Sequence, residues 1–232
     1  MHHELVQRPD FGMVHVTFDA PGEQLLVESG AMVAKDTALQ MQTAMRGGLL
    51  SAAKRKLLGG ESLFQNTFTA TQAGQTLWLA PGPEGDVEVF PLQGEPLYLS
   101  SGAFLACTPS VTLDTKWGGA RGFFSGAGLF LLKAEGRGPL FFSSYGGIHA
   151  IDVDARGYVC DTSHIVGFTG GLDFDIKKVA GLKSLFLSGE GLVCAFRGRG
   201  RLWIATRNAG ALASFLNPFR RVESSSSSAG DD

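Results

Sequence analysis

Along most of the chain, apolar and polar residues alternate or gather in short apolar runs bounded by glycine, the pattern of β-strands. Phe11 to Phe18 alternates in part and runs into the turn sequence Asp19-Ala20-Pro21-Gly22. Leu39 to Thr43, Val111 to Thr115 and Leu172 to Ile176 each alternate with the period of a half-buried strand. One segment departs from this pattern. Leu49 to Leu58, between the pairs Gly47-Gly48 and Gly59-Gly60, holds four leucines, two alanines and the basic run Lys54-Arg55-Lys56, and reads as a helix. Leu49, Ala53 and Leu57 share one face at i, i+4, i+8, with Leu50 beside them, and the basic residues lie off that stripe. Near the end, Ala209 to Phe215 reads as a short helix closed by Asn217-Pro218, before a serine-rich, low-complexity tail.

The strand pattern repeats. LLVESGAMVA (Leu25 to Ala34) matches LYLSSGAFLA (Leu97 to Ala106) at an offset of 72, and Leu39 to Thr43 matches Val111 to Thr115 at the same offset. A third unit supplies Tyr158 to Asp161 and Leu172 to Ile176, each 61 positions beyond the second. The back half of each unit reads as a hairpin. FTATQAGQTLWLA (Phe68 to Ala80), LLKAEGRGPLFFS (Leu131 to Ser143) and VCAFRGRGRLWIA (Val193 to Ala205) each carry an apolar strand, a glycine-bearing turn and an aromatic strand. The expected organisation is therefore an N-terminal tail (1–10), repeat 1 (11–96) with an insertion at 44–61, repeat 2 (97–157), repeat 3 (158–208), and a C-terminal helix with the serine-rich tail (209–232). The counterpart of the insertion in repeat 2, Lys116 to Phe124, is half as long. An insertion in one copy of a repeat falls on a loop at one face, often the contact face.

Composition agrees with a globular β protein. Apolar residues make up 44% and charged residues 18%, and the 32 glycines suit many tight turns. A net charge of −2 gives no global attraction for nucleic acid. Cys107, Cys160 and Cys194 are an odd number in apolar surroundings and read as free thiols in a reducing compartment. The first residues lack the apolar core of a secretory signal, and no apolar run reaches the ~18 residues of a membrane span. A cytoplasmic, bacterial-type protein, peripheral at most to a membrane, is the expectation.

Candidate chemistry is sparse. Arg197-Gly198-Arg199-Gly200-Arg201 resembles an arginine–glycine element, but it occupies the place of Glu135-Gly136-Arg137-Gly138 and Gln72-Ala73-Gly74-Gln75, so a solvated turn explains it better. His2 and His3 are terminal and expected to be mobile. His15, His149 and His164 are scattered, without metal-ligand spacing, so no metal site is expected. Asp152 with Asp154, and Asp173 with Asp175, read as polar faces of strands. Gly126-Ala127-Gly128 and Gly189-Glu190-Gly191 lack a following phosphate-binding helix, and Ser125 and Ser188 lack a nucleophile elbow. The candidate contact element is the basic segment, with Leu49, Leu50, Lys54, Arg55, Lys56, Leu57 and Leu58. It suits an anionic membrane surface or a partner groove, although most such helices simply cover a core.

ESGAMVA, GGLLSAAKRKLLGGESLFQNTF, SSGAFLA and GLVCAFRGRGRLWIATRN together resemble the altered-inheritance-of-mitochondria family, described as similar to the tryptophan RNA-binding attenuation protein. The resemblance runs from about Phe11 to Asn208, and Gly59 to Phe64 is its most specific part. It implies an all-β chain of three tandem attenuator-like units (a shortened double-stranded β-helix or sandwich), with a short helical insertion in the first. It further implies a ring-like homotrimer, and mitochondrial relatives associated with the inner membrane. No catalytic residues are implied. The sequence thus leads to a non-enzymatic, oligomeric structural or scaffold protein that needs no cofactor and binds no nucleic acid, with the basic segment meeting a membrane or a partner. A small-ligand binder with sites between repeats or subunits is the alternative, and an enzyme comes third.

Overall fold

The chain, seen in a computed structural model, is all-β, and the structure describes residues 1–45, 64–100, 102–114, 123–124, 129–178 and 192–220. The strands are β1 (His2–Val6), β2 (Met13–Thr17), β3 (Gln24–Glu28), β4 (Met32–Lys35), β5 (Gln40–Met45), β6 (Phe64–Thr69) and β7 (Thr76–Leu79). They continue with β8 (Val87–Gln93), β9 (Leu97–Ser100), β10 (Phe104–Cys107), β11 (Val111–Asp114), β12 (Phe123–Phe124) and β13 (Leu129–Ser143). The last are β14 (Ile148–Val153), β15 (Tyr158–Asp161), β16 (Ile165–Thr169), β17 (Leu172–Lys178), β18 (Leu192–Gly198) and β19 (Gly200–Ala205). Helix α1 (Ala209–Leu216) follows, with the Asn208 side chain accepting from the Ala211 N–H as its N-cap.

One pairing scheme occurs three times. In the first set of strands, β2 and β4 flank β7, while β3 and β5 flank β6. In the second, β8 and β10 flank the C-terminal half of β13, and β9 and β11 flank its N-terminal half. In the third, β14 and β16 flank β19, while β15 and β17 flank β18. Even the irregularities correspond: the register slips between Met32 and Ala34, between Phe104 and Ala106, and between Ile165 and Gly167. Successive sets are joined edge to edge, β10 pairing with β3 and β16 with β9.

The expected hairpins at Phe68–Ala80, Leu131–Ser143 and Val193–Ala205 do not form. Among the described pairings β6 never meets β7, β18 never meets β19, and β13 continues as one strand without folding back on itself. The first strand of each pair lies beside β3, β9 or β15 and the second beside β2, β8 or β14. The intervening glycines make a corner between sheets, not a reversal. Gly74, Gly136, Gly138 and Gly198 all have positive φ, and a Cβ on Gly136 would collide with the Ser110 carbonyl oxygen. Such bends let a strand leave one layer of a sandwich for the other. The strand–turn–strand pattern is the same for both outcomes, so local sequence could not separate them.

The N-terminal tail also differs from expectation. His2 to Val6 is a strand, paired with β2 from His2↔Thr17 to Val6↔Met13. His3 packs edge-on against Phe141, and burial lowers its imidazole pKa. Beyond β1, Arg8 reaches the buried carboxylate of Asp86. Its Nε donates to Oδ1 at 2.7 Å and its terminal nitrogen to Oδ2 at 3.0 Å, with a further bond to Glu88 at 3.1 Å. Asp86 also accepts from the Val87 N–H at 2.9 Å. These bonds raise the Arg8 pKa and fasten the start of the chain to β8 of the second set.

Removing the cation leaves a buried carboxylate with only two backbone N–H donors, those of Val87 and, at 3.4 Å, Ile148. Breaking a fully buried pair costs ~3–5 kcal/mol, and partial exposure of Arg8 reduces this, so Arg8→Ala should cost about 2–3 kcal/mol. The measurement is the urea midpoint at constant m-value. Arg8→Lys should recover only part, because it loses the forked geometry.

Candidate functional site

Leu49, Leu50, Lys54, Arg55, Lys56, Leu57 and Leu58 lie outside the described residues, as do Gly126 to Gly128, Gly189 to Gly191, Ser125 and Ser188. The ends of the insertion are placed. Ala44 and Met45 close β5, and Met45 pairs with Phe64 at the start of β6, so the segment leaves and re-enters at one cross-strand pair.

The arginine-rich turn sits above a groove of about 650 Å³ between the second and third sets, lined by Phe90, Glu95, Asp152, Asp154, Arg199 and Arg201 among others. Its charges largely neutralise one another. Arg201 Nε donates to Asp152 at 2.8 Å, and Arg156 binds Asp154 through both side chain and backbone, holding that carboxyl below the usual range. Both aspartates are well exposed, so the pairs stabilise little. Asp173 and Asp175 point outward on β17. The histidines stay apart: His15 stacks on Trp78, and the ring of His164 bonds the Ala205 carbonyl at 2.8 Å. Among the described residues no three His, Cys, Asp or Glu side chains converge as a metal site. None of their helices is long and apolar enough to cross a membrane.

Two sheet edges stand out instead. The core of the first set is completed by the second: Leu105, Ala106 and Phe141 pack among Val14, Leu25 and Phe68. The third set completes the second in the same way, with Val166 and Trp203 packing among Leu99, Leu132 and Phe142. By pairing position Leu105 corresponds to Val166 and to Val33, Ala106 to Gly167 and to Ala34, and Phe141 to Trp203 and to Trp78. Leu105 is 0% exposed but Val33 is 54% exposed, and Trp78 is only half buried. On the receiving side, Leu25 and Leu97 are both 0% exposed, whereas their counterpart Tyr158 is 44% exposed. Beside it Val159 is 60% exposed, where Leu26 and Tyr98 are partly buried against the following set. Burying a side chain of this size is worth roughly 1.5–3 kcal/mol. That gain is realised at two places along the chain and forgone at β4 and β15.

The edges are absent from the sequence reading because Val33, Leu105 and Val166 are all apolar. The signal lay in the repeat itself: among the described strands, β4 and β15 lack the neighbouring-set strand that their counterparts β10, β16, β3 and β9 have. Helix α1 is a second apolar surface, with Leu212, Phe215, Leu216 and Phe219 all exposed.

A family model described as mitochondrial biogenesis AIM24 matches residues 3–207. An uncharacterized protein of Streptococcus pyogenes serotype M6 is 30% identical over 218 residues, 89% of this chain and 87% of that protein. The X-ray crystal structure of a Streptococcus pyogenes protein superposes with a TM-score of 0.77 at 28% identity, over 94% of this chain and 99% of the other.

The open edge β15 carries a built-in reporter. Cys160 lies directly opposite Cys194 of β18, and both thiols are buried. Burial pushes Cys160 up to about 11 and Cys194 up to about 12, and neighbouring negative charge adds to this. Both are therefore protonated and poor nucleophiles near neutral pH. Cys107 is fully buried. Titration with a chromogenic disulfide reagent should label none of the three rapidly in the folded protein and all three in urea. Fast labelling of the folded protein would contradict the packing around β15 and β18.

Proposed function

The chain belongs to the mitochondrial biogenesis AIM24 family, and we propose that it is a non-enzymatic, oligomeric structural protein, a scaffold made of attenuator-like units and assembled as a homotrimer. The observation that carries this reading is the mismatch in burial at corresponding positions. Val33 and Tyr158 stand in solvent where Leu105 and Leu97 are sealed by a neighbouring set. Proteins blunt their exposed strand edges with charge, proline or a covering element. Two apolar edges on one chain suit a protein that is covered by others of its kind.

The inserted segment, Leu49 to Leu58, is the proposed contact with a membrane surface or a partner. The chain on either side of it is held by the Met45–Phe64 pair, part of a framework that assembly would array in several copies. Multiple weak basic contacts on one particle act by avidity, so a segment too short to anchor alone gains affinity. The groove beneath the arginine turn favours a second reading, a small-ligand site between the second and third sets.

Sedimentation velocity of the purified chain at micromolar concentration should give a mass near three times 24.6 kDa. A monomer throughout would overturn the oligomeric reading. Liposome co-sedimentation tests the contact. Binding should require anionic lipid and low salt, and should be lost in Lys54→Glu/Arg55→Glu/Lys56→Glu without a change of mass. Binding that survives the triple variant would move the contact elsewhere.

A further inference from the structure

One turn recurs in all three sets, and each set balances its charge differently. Asp19 and Glu23, between β2 and β3, correspond by the flanking strand pairings to Gln93 and Glu95 between β8 and β9. In the third set they correspond to Asp154 and Arg156, between β14 and β15. In the first set the α-ammonium of Met1 sits on both carboxylates, with Glu23 Oε1 at 2.7 Å. In the third set the turn supplies its own cation, Arg156 donating to Asp154 at 2.8 Å. In the second set no cation is supplied: the Glu95 side chain makes no hydrogen bond or ion pair among the described residues. Glu95 lines the groove between the second and third sets, and so does Arg199, whose side chain is equally without such a bond. We propose that this groove binds the free amino terminus of a peptide, with its α-ammonium on Glu95 and a carboxylate of its next residues on Arg199.

The chain's own amino terminus is the template. Met1 packs against the core of the first set, and β1 then continues along the outer side of β2. His3 lies opposite Val16 and meets the ring of Phe141 edge-on, with centroids 4.9 Å apart. The same place in the second set is already filled. Phe90, the counterpart of Val16, meets Trp203, the counterpart of Phe141, edge-on at 5.4 Å. Next to it Pro91 stands where Thr17 faces His2, and proline offers no N–H to an added strand. A full strand like β1 therefore has no place along β8, whereas the position of the ammonium stays open at Glu95. The occupant is accordingly a chain end, held by its first residues, and not an internal segment added to the sheet.

The remaining polar groups of the groove are committed. Asp152 accepts from Arg201 at 2.8 Å, Asp154 is held by Arg156, and the Thr169 hydroxyl accepts from the Arg201 N–H at 2.9 Å. That leaves one carboxylate and one guanidinium, of opposite sign and without partners. A metal cation or a simple anion would satisfy one of them and leave the other. A peptide end with a carboxylate close behind its ammonium satisfies both, and the two contacts fix its direction in the groove. Each exposed charge alone contributes little, so the affinity expected is modest and depends on both ends being present.

This inference rests on the small-ligand reading of the groove, and the two fail in different ways. The probe is the peptide Met-Ala-Glu-Lys with a neutral fluorophore on its lysine side chain, titrated with the full chain and followed by anisotropy. Glu95 and Arg199 are exposed, so circular dichroism and thermal unfolding of Glu95→Gln and Arg199→Gln should match those of the wild type. Acetylating the amino terminus of the probe, or Glu95→Gln, should weaken binding at least about tenfold, the loss of one charge-assisted contact. Glu95→Gln should leave the residual binding of the acetylated probe unchanged, and Arg199→Gln should weaken the free probe severalfold. If free and acetylated probes bind equally and only Arg199→Gln weakens them, the groove takes an anion; the amino-terminus inference is then wrong and the ligand reading stands. Binding that ignores both variants, or no binding at millimolar protein, also overturns the inference. A thermal-shift panel of small metabolites that is silent as well removes the ligand reading with it.

Discussion

Leu105, Ala106 and Phe141 belong to the second set by sequence and to the first by packing. Most of the structure depends on that exchange. A single set of short strands has too little interior to pack by itself, because small domains bury too small a share of their surface. Here the second and third sets each lend a strand edge and two or three apolar side chains to the set before. The three cores are consequently not independent, and Tyr98, Leu131 and Phe168 tie the third to the second as Leu105 ties the second to the first. Stability in such an array is shared between units and the interfaces between them. The terminal sets, with one interface each, are its weakest parts.

The strand corners make the exchange possible. If β6 and β7 had folded back on each other as a hairpin, each set would close locally and present no edge to its neighbour. By turning from one layer to the other at Gly74, or at Gly136 and Gly138 within β13, the chain places its aromatic strand beside β2, β8 or β14. From there Phe141 and Trp203 reach into the preceding core; Phe141 meets the ring of the exposed His3 edge-on and Trp203 that of Phe142. The glycines thus serve topology. Any side chain at Gly136 would meet the backbone at Ser110, which fixes the corner to the turn before β11.

Strand content was legible in the sequence because alternation is a local property. The correspondence between Leu25–Ala34 and Leu97–Ala106 was legible because both stretches meet the same neighbours, β6 with β7 in one case and β13 in the other. What could not be read is anything decided by distant partners. FTATQAGQTLWLA is compatible with a hairpin or a corner, and the choice is made by β2, β3, β4 and β5. His2 to Val6 carries few apolar residues, and its order comes from β2 and from the Arg8–Asp86 bond, neither visible locally. Of the candidate site, the basic insertion was singled out by its helical period. The open edges passed unnoticed because a valine reads the same whether covered or not.

That last point bears on what the chain is for. Selection against aggregation removes apolar residues from edges that stay exposed, by replacing them with charge or proline. Met32, Val33 and Ala34 carry none of these devices on β4, and Tyr158 and Val159 carry none on β15. Lys35, which could have served, is committed to the turn at Asp36 to Leu39. Under the oligomeric reading proposed above, the two apolar edges are surfaces for other copies to cover rather than two liabilities. Within the chain, the fold completes the core of one set with the strand of another, and β4 and β15 are the two places where that completion is not made.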